Sequence, residues 1–249
     1  MAMNFVPLDK NKHKDLKVTL DRSLPHAKSS HLSAASIREY AQLSASMPII
    51  FIKDPQDNYR SVGVLGIEQD VNLFLATDKW KGPYVPMNVL RYPFDVRQDG
   101  DKLGVYIDEN SDLLKKDEGE PLFDGENASE YLMERQKFLT DLANSELQTK
   151  AFIDVITELD LVEEIQLLVA YTNGDKRNVT GMFSISEKKL LELDDVKVTE
   201  LHKKGYLGAC YSLMLSLGQL SRLVELSNDT ENPIQALQIQ RPTEEQKTA

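Results

Sequence analysis

The chain predicts an α+β fold, with a strand-rich N-terminal half packed against a helical C-terminal half that contains one β-hairpin. Three observations carry that expectation. Short apolar runs punctuated by turn residues give way near residue 127 to apolar residues at three-to-four spacing. A period-two run, Ile165, Leu167, Val169 and Tyr171, then leads into the tight-turn pair Asn173-Gly174. A long apolar stretch over residues 206–217 follows, suited to a core helix and too short for the ~20 residues that span a bilayer.

Taken in order, residues 34–46 suit a helix that stops ahead of Pro48. Pro48-Ile49-Ile50-Phe51-Ile52 reads as a buried strand, residues 54–58 as its turn and residues 61–67 as its hairpin partner. Gly63 and Gly66 in that partner signal a bulge or a close backbone approach. Asn72-Leu73-Phe74-Leu75, Pro93-Phe94-Asp95-Val96 and residues 103–107 are further strands, with Asp99-Gly100-Asp101 a turn between the last two. From Ala128, Tyr131, Leu132, Phe138, Leu139 and Leu142 mark a helix face, continued by Phe152, Val155, Ile156 and Leu159. Residues 179–185 return as the second strand of the hairpin, and Ser184-Ile185-Ser186-Glu187 has the pattern of a capping box. Helices over residues 197–204 and 205–226 follow; the second is apolar almost all round, so a central position is expected, with Gly208, Ser212 and Ser216 as a stripe for close packing. The expected organisation is 1–126, 127–226 and a polar tail 227–249 that frays or docks weakly through Ile234, Leu237 and Ile239; a single integrated domain is the alternative.

Among 249 residues, 41% are hydrophobic and 28% charged, an ordinary globular balance. Twenty-nine basic against 40 acidic residues leave a net charge of −11, which repels polyanions and argues against general nucleic-acid binding. Cys210 is the single cysteine and reads as a buried thiol in a reducing compartment. The first residues turn charged at Asp9 and Lys10 without an apolar signal core, so the cytoplasm is the expected location, with export by another route left open. The broken basic cluster Lys10, Lys12, Lys14 and Lys17 is expected to coat a solvent-facing edge, and the acidic stretch 108–124 to form a solvated loop, since it lacks the ligand spacing of a calcium loop.

Several phrases, in order and in one register, make the chain resemble the SapC family of bacterial proteins. They include Phe5-Val6-Pro7-Leu8, His26-Ala27 with His31-Leu32, Trp80 with Tyr84-Val85-Pro86, Arg91-Tyr92-Pro93-Phe94, Ile107-Asp108-Glu109 and Ser216-Leu217-Gly218-Gln219-Leu220. The resemblance implies an association with paracrystalline surface layers, by the family's name, and no particular reaction. Family members encoded beside flavin-dependent halogenase-like proteins and outer-membrane receptors imply an accessory role in substrate handling.

Two groups stand out as candidate sites. His26 and His31 sit at loop spacing; they suit a metal or catalytic role with His13, Asp15 or Glu109 as a further ligand, or simply hydrogen bonding to loop backbone. Trp80, Tyr84, Arg91 and Tyr92 combine aromatic faces with a guanidinium fork, the chemistry of a ligand or partner pocket. The bland alternative buries Trp80 and Tyr84 in the core and pairs Arg91 with Asp95 or Asp108. The leading expectation is a non-catalytic accessory protein that binds a protein partner or small ligand through His26, His31, Trp80, Tyr84, Arg91, Tyr92 and Glu109. No metal is expected there, and no cofactor is identified. An enzyme using His26, His31, Arg91 and Glu109, and a surface-layer component, are the alternatives.

Overall fold

The structure, a computed structural model, describes residues 3–99 and 102–242. The early chain forms strand β1 (Phe5–Pro7), helix α1 (Lys10–His13) and strands β2 (Lys17–Val18) and β3 (Leu32–Ala34). Helix α2 (Tyr40–Ser44), β4 (Ile49–Lys53), β5 (Tyr59–Val64), α3 (Met87–Leu90), β6 (Phe94–Asp99) and β7 (Lys102–Asp108) follow. Four two-residue strands come next: β8 (Leu114–Lys115), β9 (Glu120–Pro121), β10 (Phe123–Asp124) and β11 (Asn127–Ala128). The rest comprises α4 (Glu130–Glu158), β12 (Val162–Tyr171), β13 (Lys176–Ile185), α5 (Glu187–Leu191), α6 (Asp195–Lys203), α7 (Tyr206–Ser216), α8 (Leu220–Ser227) and β14 (Ile234–Gln240). The α+β class is therefore as the sequence predicts.

A six-stranded antiparallel sheet, ordered β14-β12-β13-β4-β5-β3, joins the two halves of the chain. The period-two pattern works as expected, because Ile165, Leu167, Val169 and Tyr171 are all buried on β12. The turn after β4 closes on Asp54, whose Oδ1 accepts the backbone N–H groups of Gln56 and Asn58. Gly174, at φ +92°, supplies the left-handed residue between β12 and β13. Smaller sheets, β1-β7-β6, β8-β2-β9 and β10-β11, form from the remaining strands ahead of α4. Part of the acidic stretch expected as a solvated loop thus pairs with β2 instead.

Helix α4 starts where Ser129 Oγ accepts the Leu132 N–H at 3.1 Å. Its 29 residues extend roughly 43 Å. Its first half contributes Leu132 and Leu139 to a small core with Val18, Phe94, Ile107 and Leu122. Its second half contributes Phe152, Ile153 and Ile156 to the large core, which runs from Ala35 to Ile234 and so crosses the sequence boundary at residue 126. Among the described residues no helix is long and apolar enough to cross a membrane.

Several expectations need correction. Leu73–Leu75 is a 3-10 turn rather than a strand, because Asn72 Oδ1 accepts the Phe74 N–H and caps it. The helix expected over 34–46 contracts to a 3-10 turn, Ile37–Glu39, and α2, because Ala34 pairs with Val62 in the sheet. Ser184 stays in β13 and Ser186 takes the N-cap of α5 without a side-chain cap bond, so the capping box does not form. The helix expected over 205–226 breaks into α7, a 3-10 turn and α8, and α7 buries one face only: Leu215 is 74% exposed. The small-residue stripe is fully buried only at Ser216, since Ser212 is half-buried and Gly208 is exposed with open space beside it. Residues 234–240, expected to fray or dock weakly, form β14 in register with β12, held also by the Ile234 N–H donated to Ser227 Oγ at 2.8 Å. The expected turn over Asp99-Gly100-Asp101 falls on Gly100 and Asp101, outside the described residues.

Ser216 shows what the packed end of that stripe does. Its buried Oγ accepts the Ile49 N–H at 2.8 Å and donates to Leu213 O at 2.6 Å, tying α7 to the start of β4. Ser216→Ala strands a buried backbone donor, so a loss of about 1–3 kcal/mol in unfolding free energy is expected by urea titration. A variant as stable as the parent would show that this link contributes nothing.

Candidate functional site

The seven residues singled out by sequence do not converge on one place. They fall into five settings, each with its own partners.

His26 and Tyr92 come together. Their rings stack with centroids 4.2 Å apart and planes 16° from parallel. His26 sits in a 3-10 turn, Pro25–Ala27, entered through Leu24 in the left-handed conformation. His26 Nε2 lies 3.0 Å from Val89 O, and because a carbonyl only accepts, that nitrogen carries the proton. Burial lowers the His26 pKa against the opposing pull of Val89 and Asp21, so the ring is neutral at pH 7 and Nδ1 is a bare acceptor. Nδ1 is buried and has no hydrogen-bond partner among the described residues. Tyr92 donates its hydroxyl to Asp108 Oδ2 at 2.9 Å, and burial, reinforced by Asp108, pushes its pKa up to about 12. Asp108, itself buried, also accepts the Asn4 and Asn110 N–H groups and so fastens β1 beside the site.

Trp80 and Tyr84 are half-buried and pack against the large core. Trp80 stacks on Phe74 with centroids 5.1 Å apart and donates Nε1–H to Tyr84 O at 2.9 Å. The Tyr84 hydroxyl is 3.5 Å from Glu39 Oε2, which also accepts the Met87 N–H at 3.3 Å. Glu39 is 1% exposed, and its Oε1 is buried without a partner among the described residues. Burial drives its pKa up to about 7 against the Met87 N–H. Sequence reading missed this carboxyl, which sits one residue before the large apolar Tyr40.

Arg91 points elsewhere again. Of the two expected partners it takes Asp95, at 2.6 Å, and Asp95 also accepts from Arg97 Nε at 3.0 Å. His31 is half-buried in a separate apolar groove with Leu32, Ile50 and Ile52. Glu109 accepts from buried His13 Nε2–H at 3.0 Å and pairs with Lys12. His13 Nδ1 accepts the Asp9 N–H, which closes off that ring as a ligand. An enzyme using His26, His31, Arg91 and Glu109 as one constellation would therefore need residues that this fold places in different surroundings. Among the described residues no group of three histidine, cysteine or acidic side chains could hold a metal ion. Cys210 is buried as expected, and desolvation pushes its thiol up to about 12.

The His26–Tyr92 pair forms part of the lining of a cleft of about 240 Å³. Residues 18–22, Leu24, the end of α3, Leu113 and the first turns of α4 complete it. From α4 it receives Tyr131, Arg135 and Phe138, which share one helix face at i, i+4 and i+7. Arg135 is the residue that sequence reading passed over. Its signal was a cation lying on the stripe counted as apolar, between two aromatic residues. The guanidinium sits 4.5 Å over the Phe138 ring and donates Nη2–H to Leu90 O at 2.8 Å. Burial lowers the Arg135 pKa, and its Nε is buried with no partner among the described residues.

The SapC family model matches residues 8–223, nearly the whole chain. The chain belongs to the SapC family. No curated protein and no solved structure matches it.

Proposed function

We propose that this SapC-family chain is an accessory binding protein whose cleft between the His26 turn, α3 and α4 takes a small ligand. One observation carries the reading. Two polar atoms of residues that line the same cleft, His26 Nδ1 and Arg135 Nε, are both withdrawn from water without a partner among the described residues. A buried polar atom left unpaired costs about 1–3 kcal/mol, and two of them bordering one concavity suit an occupant that approaches both. The stacked His26–Tyr92 wall and the Tyr131–Phe138 face supply flat apolar surface for the body of such a ligand. The volume, below that of most drug-sized sites, favours a small molecule over a protein segment.

Native mass spectrometry of gently purified protein against the denatured chain mass tests this. Bound mass that is present in the parent and lost in both His26→Ala and Arg135→Gln, with circular dichroism unchanged, is the expected result. Bound mass retained by both folded variants would move the site away from this cleft.

A further inference from the structure

The charges around the cleft say what kind of ligand belongs there. Arg135 is half-buried, and no carboxylate lies within ion-pair distance of it among the described residues, in a chain whose acidic residues outnumber its basic ones by 40 to 29. Arg22, an exposed lining residue, likewise has no ion-pair partner among the described residues. The acid among the lining residues, Asp21, spends Oδ1 on the Ser23 N–H and hydroxyl. A guanidinium taken partly out of water, with no direct ion pair and only the through-space pull of Glu134, suits an anion, and its planar fork matches a carboxylate. The lining also offers apolar surface from Leu20, Val89, Leu113, Tyr131 and Phe138. Neutral His26 adds one acceptor at Nδ1, which suits a hydroxyl or N–H on the ligand.

Building on the binding reading above, we propose that the cleft is a receptor for a small organic acid. Its carboxylate meets the Arg135 fork, its apolar or aromatic body lies along Tyr131 and Phe138, and a hydroxyl or N–H near the acid faces His26. Of the charged lining residues, Asp21 offsets exposed Arg22 and leaves half-buried Arg135, which balances a monoanion and favours a carboxylate over a phosphate dianion.

The test uses the full chain and a defined panel: benzoate, 3-phenylpropionate and octanoate, each beside its neutral alcohol, with inorganic phosphate as a separate arm. Binding is followed by the side-chain resonances of Arg135, Tyr131 and Phe138 and by the shift of the thermal midpoint. At least one carboxylate is expected to perturb these resonances and raise the midpoint, with its alcohol at least tenfold weaker. Arg135→Gln is expected to abolish that preference, and Arg135→Lys, which keeps the charge without the fork, to restore it in part. Acid and alcohol binding equally well in the cleft would overturn the acid receptor while leaving the binding site standing. Phosphate outcompeting every carboxylate would also overturn it, in favour of a phosphate site. No panel member perturbing the three resonances would overturn it, and if bound mass from the native protein also maps elsewhere, the binding reading falls with it.

Discussion

Replacing Glu39 by glutamine is expected to remove a loss of stability that the parent protein suffers as pH rises from about 4.5 to about 7. Buried Glu39 titrates near 7 in the folded chain against an ordinary 4.5, so the folded state holds a proton that the unfolded chain has already released. Between those two values the unfolded state binds fewer protons, and unfolding free energy falls with pH; above the higher value the penalty is full. A displacement of this size corresponds to about 3 kcal/mol as an upper figure. Glutamine cannot ionise, and it keeps an acceptor for the Met87 N–H. Urea titrations of parent and Glu39→Gln at pH 5, 6, 7 and 8 should therefore diverge steadily, the variant being the more stable at pH 8. Parallel curves across that range would mean that the carboxyl is better solvated than its surroundings imply.

The second large effect is expected at Gly66. A Cβ built there would lie 1.9 Å from the carbonyl oxygen of Val71, a backbone atom that cannot swing aside. The Gly66 N–H is meanwhile held by His31 O at 3.0 Å, so the clash cannot be relieved by sliding one segment alone. Gly66→Ala is expected to cost more than about 3 kcal/mol, at or beyond the upper end of ordinary overpacking. Gly174→Ala makes the natural contrast. Its Cβ meets open space, and the φ of +92° alone penalises the change, by about 1 kcal/mol. Denaturation midpoints for the two variants separate steric exclusion from backbone preference. Equal midpoints would show that Val71 yields.

How much of this was legible before the structure varied with the kind of signal. Strand β12 announced itself because its pleat has one buried face and the sequence alternates with it. Strand β4 was equally clear from the unbroken apolar run Ile49-Ile50-Phe51-Ile52 after Pro48. Residues 72–75 misled because an apolar triad suits a strand or a turn, and the deciding contacts belong to Asn72, which caps the turn and donates Nδ2–H to Ala27 O across 45 positions of chain. The tail misled in the opposite direction. Ile234, Leu237 and Ile239 are sparse among polar neighbours, yet β12 offered an edge that they could join.

The cleft was half legible. His26 and Tyr92 drew attention as residue types, but their stacking depends on how residues 24–27 and 91–93 turn. Nothing in their 66-residue separation encodes it. His31, Arg91 and Glu109 looked equally eligible, since loop spacing does not reveal which way each loop faces. Arg135 could have been found, because its place between Tyr131 and Phe138 on a single helical face sets a charge where burial was expected.

One consequence follows from α4 serving two cores. The helix carries Tyr131, Arg135 and Phe138 toward the cleft while anchoring Leu132 and Leu139 in the small core and Phe152 and Ile156 in the large one. Its central turns can exchange their amide hydrogens only when both anchorages let go, so they should be the slowest to take up deuterium. Occupancy of the cleft, by stiffening the N-terminal anchorage, would then be readable as added protection some tens of ångströms along the same rod.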